Sequence, residues 1–219
     1  NTSELLRIDY GAGDPDCSRN EHPVSSGRKI KSTVGNISKT ASKPYFWTLF
    51  LFKLVREFKP RHCVELGTCF GISSSYLAAA LKLNQGGTLV TLEGAESCAE
   101  LATQNFETLG LDNIDVVIGR FVDTLEGVLK RRGTIDFAFV DGHHEQTATI
   151  AYFEQIRQHL ARHAVLVFDD ISWSDGMRNA WNFISRHKQT KFALDLGVVG
   201  VCLYDSDVQQ VPAMRIPLV

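Results

Sequence analysis

From His62 onward the hydrophobic positions fall into two alternating rhythms. Short apolar runs at 62–66, 88–93, 114–119, 135–141, 164–169, 191–196 and 199–204 have the length and residue types of strands. Between them, apolar residues three and four apart predict helices near 72–83, 96–109, 123–131, 146–160 and 176–187. Strand followed by helix, repeated, predicts a mostly parallel sheet with helices on both faces. The last two runs break the rhythm. Little besides Gly197 separates them, so they are predicted to pair as an antiparallel hairpin.

Residues 1–60 read differently. Through Lys43 they hold glycine, serine and scattered charge with little periodicity, and Pro44 then opens an apolar stretch, Tyr45 to Val55, that predicts a helix beginning at the proline. Its Phe46, Trp47, Phe50 and Phe52 are expected in the core or against a second copy of the chain.

The most informative segment runs from His62 to Ser73. An apolar run ends in Glu65-Leu66, a turn carrying Gly67 and Gly71 follows, and a helix is predicted from Ile72. Glycines let the backbone approach a ligand, and a helix N-terminus offers unpaired N–H groups to an anion. The next apolar run closes in Glu93, where a carboxylate can accept both hydroxyls of a ribose. The pattern asks for an adenosine. A dinucleotide fold wants G-x-G-x-x-G, whereas Gly67 and Gly71 are four apart and Glu65 stands two before Gly67. A carboxylate there would repel a pyrophosphate and welcome an ammonium, which suits S-adenosylmethionine. Here the chain resembles the class I methyltransferases, whose first motif is E-x-G-x-x-x-G. The resemblance implies a Rossmann-like α/β fold with a seven-stranded, mostly parallel sheet in the order 3-2-1-4-5-7-6. It also implies a cofactor site at Glu65, Gly67, Thr68, Gly71, Ser73, Glu93, Gly94, Gly119, Phe121 and Asp141.

Composition agrees with one domain and a sizeable core: 219 residues, 44% hydrophobic. The expected division is an N-terminal cap segment and helix over 1–60, a cofactor-binding core over 61–205 and a tail over 206–219. A net charge of -2 gives no electrostatic reason to expect nucleic acid or an anionic membrane as partner. The five cysteines, at 17, 63, 69, 98 and 202, form no C-x-x-C pair, and no run of eighteen apolar residues occurs. A reduced, cytoplasmic setting is expected. The chain starts at Asn1, which is compatible with a removed leader or a trimmed N-terminus.

The second cluster is acidic. The fourth core run ends in Asp141-Gly142-His143-His144 and the fifth in Asp169-Asp170. Strands four and five are neighbours in the implied order, about 4.8 Å apart, so Asp141 and Asp169 are expected side by side at the carboxyl edge, where such sheets bind ligands. Carboxylates gathered there hold either a hard divalent ion or the cofactor's ammonium and a hydrogen-bond network. These strings resemble the small-molecule O-methyltransferases related to catechol O-methyltransferase. They are closer still to bacterial methyltransferases sharing the elements at Glu65–Thr68, Thr91–Gly94 and Asp169–Ser174.

That resemblance runs from about Asp9 to Tyr204. It implies magnesium ligands at Asp141, Asp169 and Asp170, with Asp170 standing where an asparagine is usual. It puts the catalytic base at His144, where the family has lysine; an imidazole accepts a proton near neutrality. His143 has no family counterpart. Arg120 occupies a usually acidic position, so adenine is expected to be held by stacking and backbone contacts around Phe121. Trp173 is a candidate wall for an aromatic acceptor, and Trp181 a core residue. The implied reaction is methyl transfer to an oxygen, or a nitrogen, of a small molecule, with Asp141 and His144 at the centre. The rival readings are a binding or assembly protein without turnover, a metal-dependent hydroxylase-like enzyme, and an NAD-dependent oxidoreductase, which the glycine spacing opposes.

Overall fold

The computed structural model describes residues 2–9, 27–205, 209, 211 and 213–216. Cys17 and most of the glycine-bearing stretch after Asp9 lie outside them. The core strands are β3 (His62–Leu66), β4 (Thr88–Glu93), β5 (Ile114–Ile118), β6 (Ile135–Val140), β7 (Leu160–Phe168), β8 (Phe192–Asp195) and β9 (Gly200–Asp205). Their order, β8-β9-β7-β6-β3-β4-β5, is the expected 3-2-1-4-5-7-6 read from the other edge. A two-residue strand, β10 (Met214–Arg215), adds an eighth member outside β8, which the sequence reading did not include. The strands from β3 to β7 pair in parallel, and β9 runs antiparallel to both β7 and β8, as the short Gly197 connection requires.

The helices are α1 (Val34–Ala41), α2 (Tyr45–Phe58), α3 (Ile72–Leu83), α4 (Glu96–Thr108), α5 (Phe121–Arg132), α6 (Gln146–Ile156) and α7 (Asp175–Ser185). Alternate strand residues point to opposite faces. Val64, Leu66, Val90 and Leu92 join Leu125, Phe153 and Trp181 on the face covered by α5, α6 and α7. Cys63, Leu89, Phe137 and Phe139 join Leu51, Val55, Leu77 and Leu81 beneath α2 and α3. Trp181 is thus core, as expected, and its ring lies where a side chain on Gly200 would stand. On α2, Thr48, Leu51 and Val55 are buried, Trp47, Phe50 and Phe52 pack against the core, and Phe46 is exposed. No helix among the described residues is long and apolar enough to cross a membrane.

The N-terminal segment contains structure the hydrophobic pattern did not predict. β1 (Glu4–Asp9) and β2 (Arg28–Thr33) pair antiparallel, and α1 follows with its N-terminus capped by the Thr33 side chain. Ile37 of α1 is buried with Phe70, Ala95 and Cys98, and Ser97 donates to the Leu6 carbonyl. The segment therefore packs on the glycine turn and the start of α4.

Candidate functional site

Strands β3, β4, β6 and β7 end at one edge, and the loops leaving them converge. The turn after β3 is held by contacts that only this sequence permits. Gly67 has φ 104°, and a Cβ there would lie 1.9 Å from the Asp141 carbonyl oxygen, so the loop can run against the end of β6 only without a side chain. Gly71, with φ 78°, caps α3 in the space left by the Phe106 ring, 2.4 Å from where its Cβ would be.

Glu93 binds this turn from β4. Its Oε2 accepts from the Cys69 N–H at 2.8 Å and its Oε1 from the Ala95 N–H at 2.8 Å. Each carboxylate oxygen carries two lone pairs and can accept more than one hydrogen bond. Gly94 follows in the same bend, and Gly119 donates its N–H to the Glu93 carbonyl at 2.8 Å.

Glu65 is completely buried and lies on the face of β3 that carries α3. Its Oε2 accepts from Ser74, and from Thr91 at 2.7 Å. Thr68 turns its hydroxyl inward to Thr91, at 2.6 Å, so its side chain supports the loop and only its backbone can face a ligand. Burial raises the Glu65 carboxyl to about 7 against the lowering effect of Ser73, Ser74 and Thr91, with the Asp141 charge adding to the rise. Glu65 Oε1 is buried without a hydrogen-bond partner. An orphaned carboxylate oxygen beneath a glycine cradle fits an ammonium-bearing ligand.

The N–H of Asp141 bonds to the Leu66 carbonyl and that of Asp169 to the Val140 carbonyl, both at 2.9 Å, extending the ladder past β6 and β7. The two aspartates are therefore neighbours, as the strand order predicted. Asp141, His144 and Asp169 bring ligand-capable atoms within 4.8 Å of one another. Asp170 stands at the rim, its Oδ2 3.7 Å from His144 Nε2, and the same nitrogen is 3.8 Å from Asp141 Oδ1. Burial raises the Asp141 carboxyl, with Lys43 and His144 opposing the rise and Asp170 adding to it.

Lys43, which sequence reasoning passed over, reaches this cluster. Its Nζ pairs with Asp169 Oδ2 in a close contact and lies 3.6 Å from Asp141 Oδ1. A lysine directly before a helix-opening proline was the one local signal, because the residue before proline is held extended. His143 goes elsewhere: its Nδ1 meets the Tyr152 hydroxyl at 2.8 Å. Phe121 stacks edge-on to Tyr152 and fills the space beside Gly142, while Arg120 pairs with Asp123. Trp173 is 43% exposed, just past the acidic loop. Cys69, His143 and Asp170 all have positive φ, of 47°, 55° and 51°, so uncommon backbone conformations gather at this edge.

Comparison with known proteins agrees with this geometry. Residues 64–171, from β3 to just past Asp170, match the family described as "Methyltransferase domain". A catechol O-methyltransferase from Niastella koreensis is 30% identical over 129 residues, covering 58% of this chain; the chain spans 56% of that protein's length. An O-methyltransferase from Bacillus cereus, solved in complex with SAH, superposes with a TM-score of 0.67 at 25% identity, covering 76% of this chain and 84% of that one. An O-methyltransferase of tomaymycin synthesis from Streptomyces achromogenes, solved with SAM, has a TM-score of 0.64 at 24% identity, covering 75% and 82%, and so shows likeness of fold.

Proposed function

We propose that this chain, whose residues 64–171 match a methyltransferase domain, is a class I methyltransferase that moves a methyl group from S-adenosylmethionine to an oxygen of a small molecule. The observation that carries this reading is the buried, half-satisfied Glu65 under the Gly67 turn, with Glu93 bracing the same turn from β4.

Glu65 would balance the cofactor's ammonium, directly or through water, Glu93 would accept from the ribose, and the α3 N-terminus and loop N–H groups would take the carboxylate. The adenine would lie toward Gly94, Gly119 and Phe121. The bound cofactor supplies a methyl carbon made electrophilic by a sulfonium. The acceptor oxygen forms the new C–O bond as the C–S bond breaks, leaving S-adenosylhomocysteine, and the acceptor's proton goes to His144 Nε2. Asp141 and Asp170, each within 4 Å of that nitrogen, would steady the charge that proton uptake creates.

Magnesium would find oxygen donors in Asp141 and Asp169, with Asp170 beyond His144. With the Lys43 ammonium paired to Asp169, however, these residues do not fit the ion, and no step of this mechanism uses it.

The test is S-adenosylhomocysteine formation from methyl-labelled cofactor across catechols, phenols, sugars and amines. Transfer to hydroxyl acceptors supports the reading; absence of cofactor binding by calorimetry overturns it.

A further inference from the structure

We propose that the Lys43 ammonium is the built-in cation of the carboxylate pair, filling the position a divalent ion would otherwise take and tying the segment before α2 to the site. Two carboxylates held side by side at the edge of a core need a positive charge between them, because neither is free to be fully hydrated. The Asp169 side chain is fully buried, and those of Lys43 and Asp141 are 13% and 14% exposed. Lys43 Nζ contacts Asp169 and lies within ion-pair distance of Asp141, whereas His144 approaches Asp141 but not Asp169 within that distance among the described residues. Asp169 Oδ1 is buried without a partner, so this carboxylate's charge is met at its other oxygen by Lys43.

The fit is mutually exclusive. A magnesium-class ion needs oxygens at about 2.0–2.1 Å, and at that distance from Asp169 Oδ2 it would stand against the ammonium already in contact with that oxygen. The lysine is also not free to leave without loosening its segment: Pro44 keeps residue 43 extended, α2 is packed on the core after it, and Ile37 of α1 is buried before it. Lys43 is thus a positioning residue, and methyl transfer at this site proceeds without a divalent ion. This deepens the reading of the same site, and its test is separate from turnover.

Manganese is titrated into the wild-type protein and into K43M and K43Q, with free Mn²⁺ followed by electron paramagnetic resonance. The wild type is expected to show no saturable site, and removal of the ammonium to open one that binds about tenfold or more tightly than any wild-type binding. D169N in either neutral background should close it again. A saturable wild-type site as tight as that of the variants overturns the inference, and so does the failure of both neutral variants to gain one. Thermal melts of K43R, which keeps the charge, report whether the segment stays docked. Cofactor binding by the wild type, measured in the same samples, fails only if the methyltransferase reading fails.

Discussion

Gly67 lies so close to Asp141 that a methyl group on its Cα would stand 1.9 Å from the Asp141 carbonyl oxygen. The contact is with backbone, so nothing flexible can give way, and the φ of 104° adds strain for any other residue. Gly67→Ala should destabilise the fold by about 1–3 kcal/mol and push the turn out of its cofactor-binding shape. Denaturant unfolding and calorimetry with S-adenosylhomocysteine check both halves. A variant that melts normally and binds normally would show that the turn can move aside.

Glu93 braces the turn through Cys69 and Ala95, and its proposed second role, accepting from the ribose, is separable from the first by comparing two substitutions. Glu93→Ala should weaken cofactor binding by about 1.5–3 kcal/mol, the scale of charge-assisted hydrogen bonds. It should also free the Cys69 and Ala95 N–H groups and lower the stability of the cofactor-free protein. Glu93→Gln keeps one acceptor oxygen but turns its amide NH2 toward the other backbone N–H, so it should recover only part of the stability and less of the affinity. Equal affinity in all three proteins would remove Glu93 from the ribose site.

The sheet and half of this site are legible in the sequence because their causes are local. Gly67, Gly71 and the acid ending each apolar run fix turns and strand ends within a few residues, and period-two alternation assigns the faces. The β1–β2 pair was not legible. Its strands alternate weakly, Leu6 is exposed, and eighteen residues separate Asp9 from Arg28. The inward turn of Thr68 depends on Thr91, and the capture of Lys43 on Asp169, 126 residues away. Contacts of that kind exist only once the topology has brought the strand ends together. His143 and His144 show the limit most closely: adjacent in sequence, they face Tyr152 and the carboxylates respectively, because the positive φ at His143 turns the chain between them.

Glu65 predicts a pH dependence with a definite sign. Its carboxyl is raised in the folded protein from 4.5 to about 7, so the folded state binds the proton more tightly than the unfolded chain. Its cost to stability is absent below the unfolded value, grows as pH rises from about 4.5 to 7, and is constant above; in full it is about 3 kcal/mol. Glu65→Gln, which keeps an oxygen for Ser74 and Thr91, should therefore be more stable than wild type at pH 8, with the difference vanishing toward pH 4.5. Urea unfolding of both proteins across that range measures it. A constant difference would mean that Glu65 does not titrate in this window. The same variant should bind cofactor more weakly at pH 8, having lost the charge opposite the ammonium.

His144 and His143 provide the sharpest comparison, because they are neighbours with different surroundings. His144 Nε2 lies between Asp141 and Asp170 at the carboxyl edge, and its side chain is largely buried. On the proposed role as proton acceptor for the substrate oxygen, His144→Ala should lower kcat by about 10²–10⁴ and leave cofactor affinity nearly unchanged. His143→Ala removes the bond to Tyr152 and should cost about 1 kcal/mol of stability with a mild effect on rate. Two controls separate base from scaffold. The His144→Ala defect should shrink as pH rises and acceptor hydroxyls ionise unaided, and acceptors of lower pKa should be affected less. A rate loss that is equal for the two histidines, or independent of acceptor pKa, would assign deprotonation to solvent and leave His144 as a partner that holds Asp141 in place.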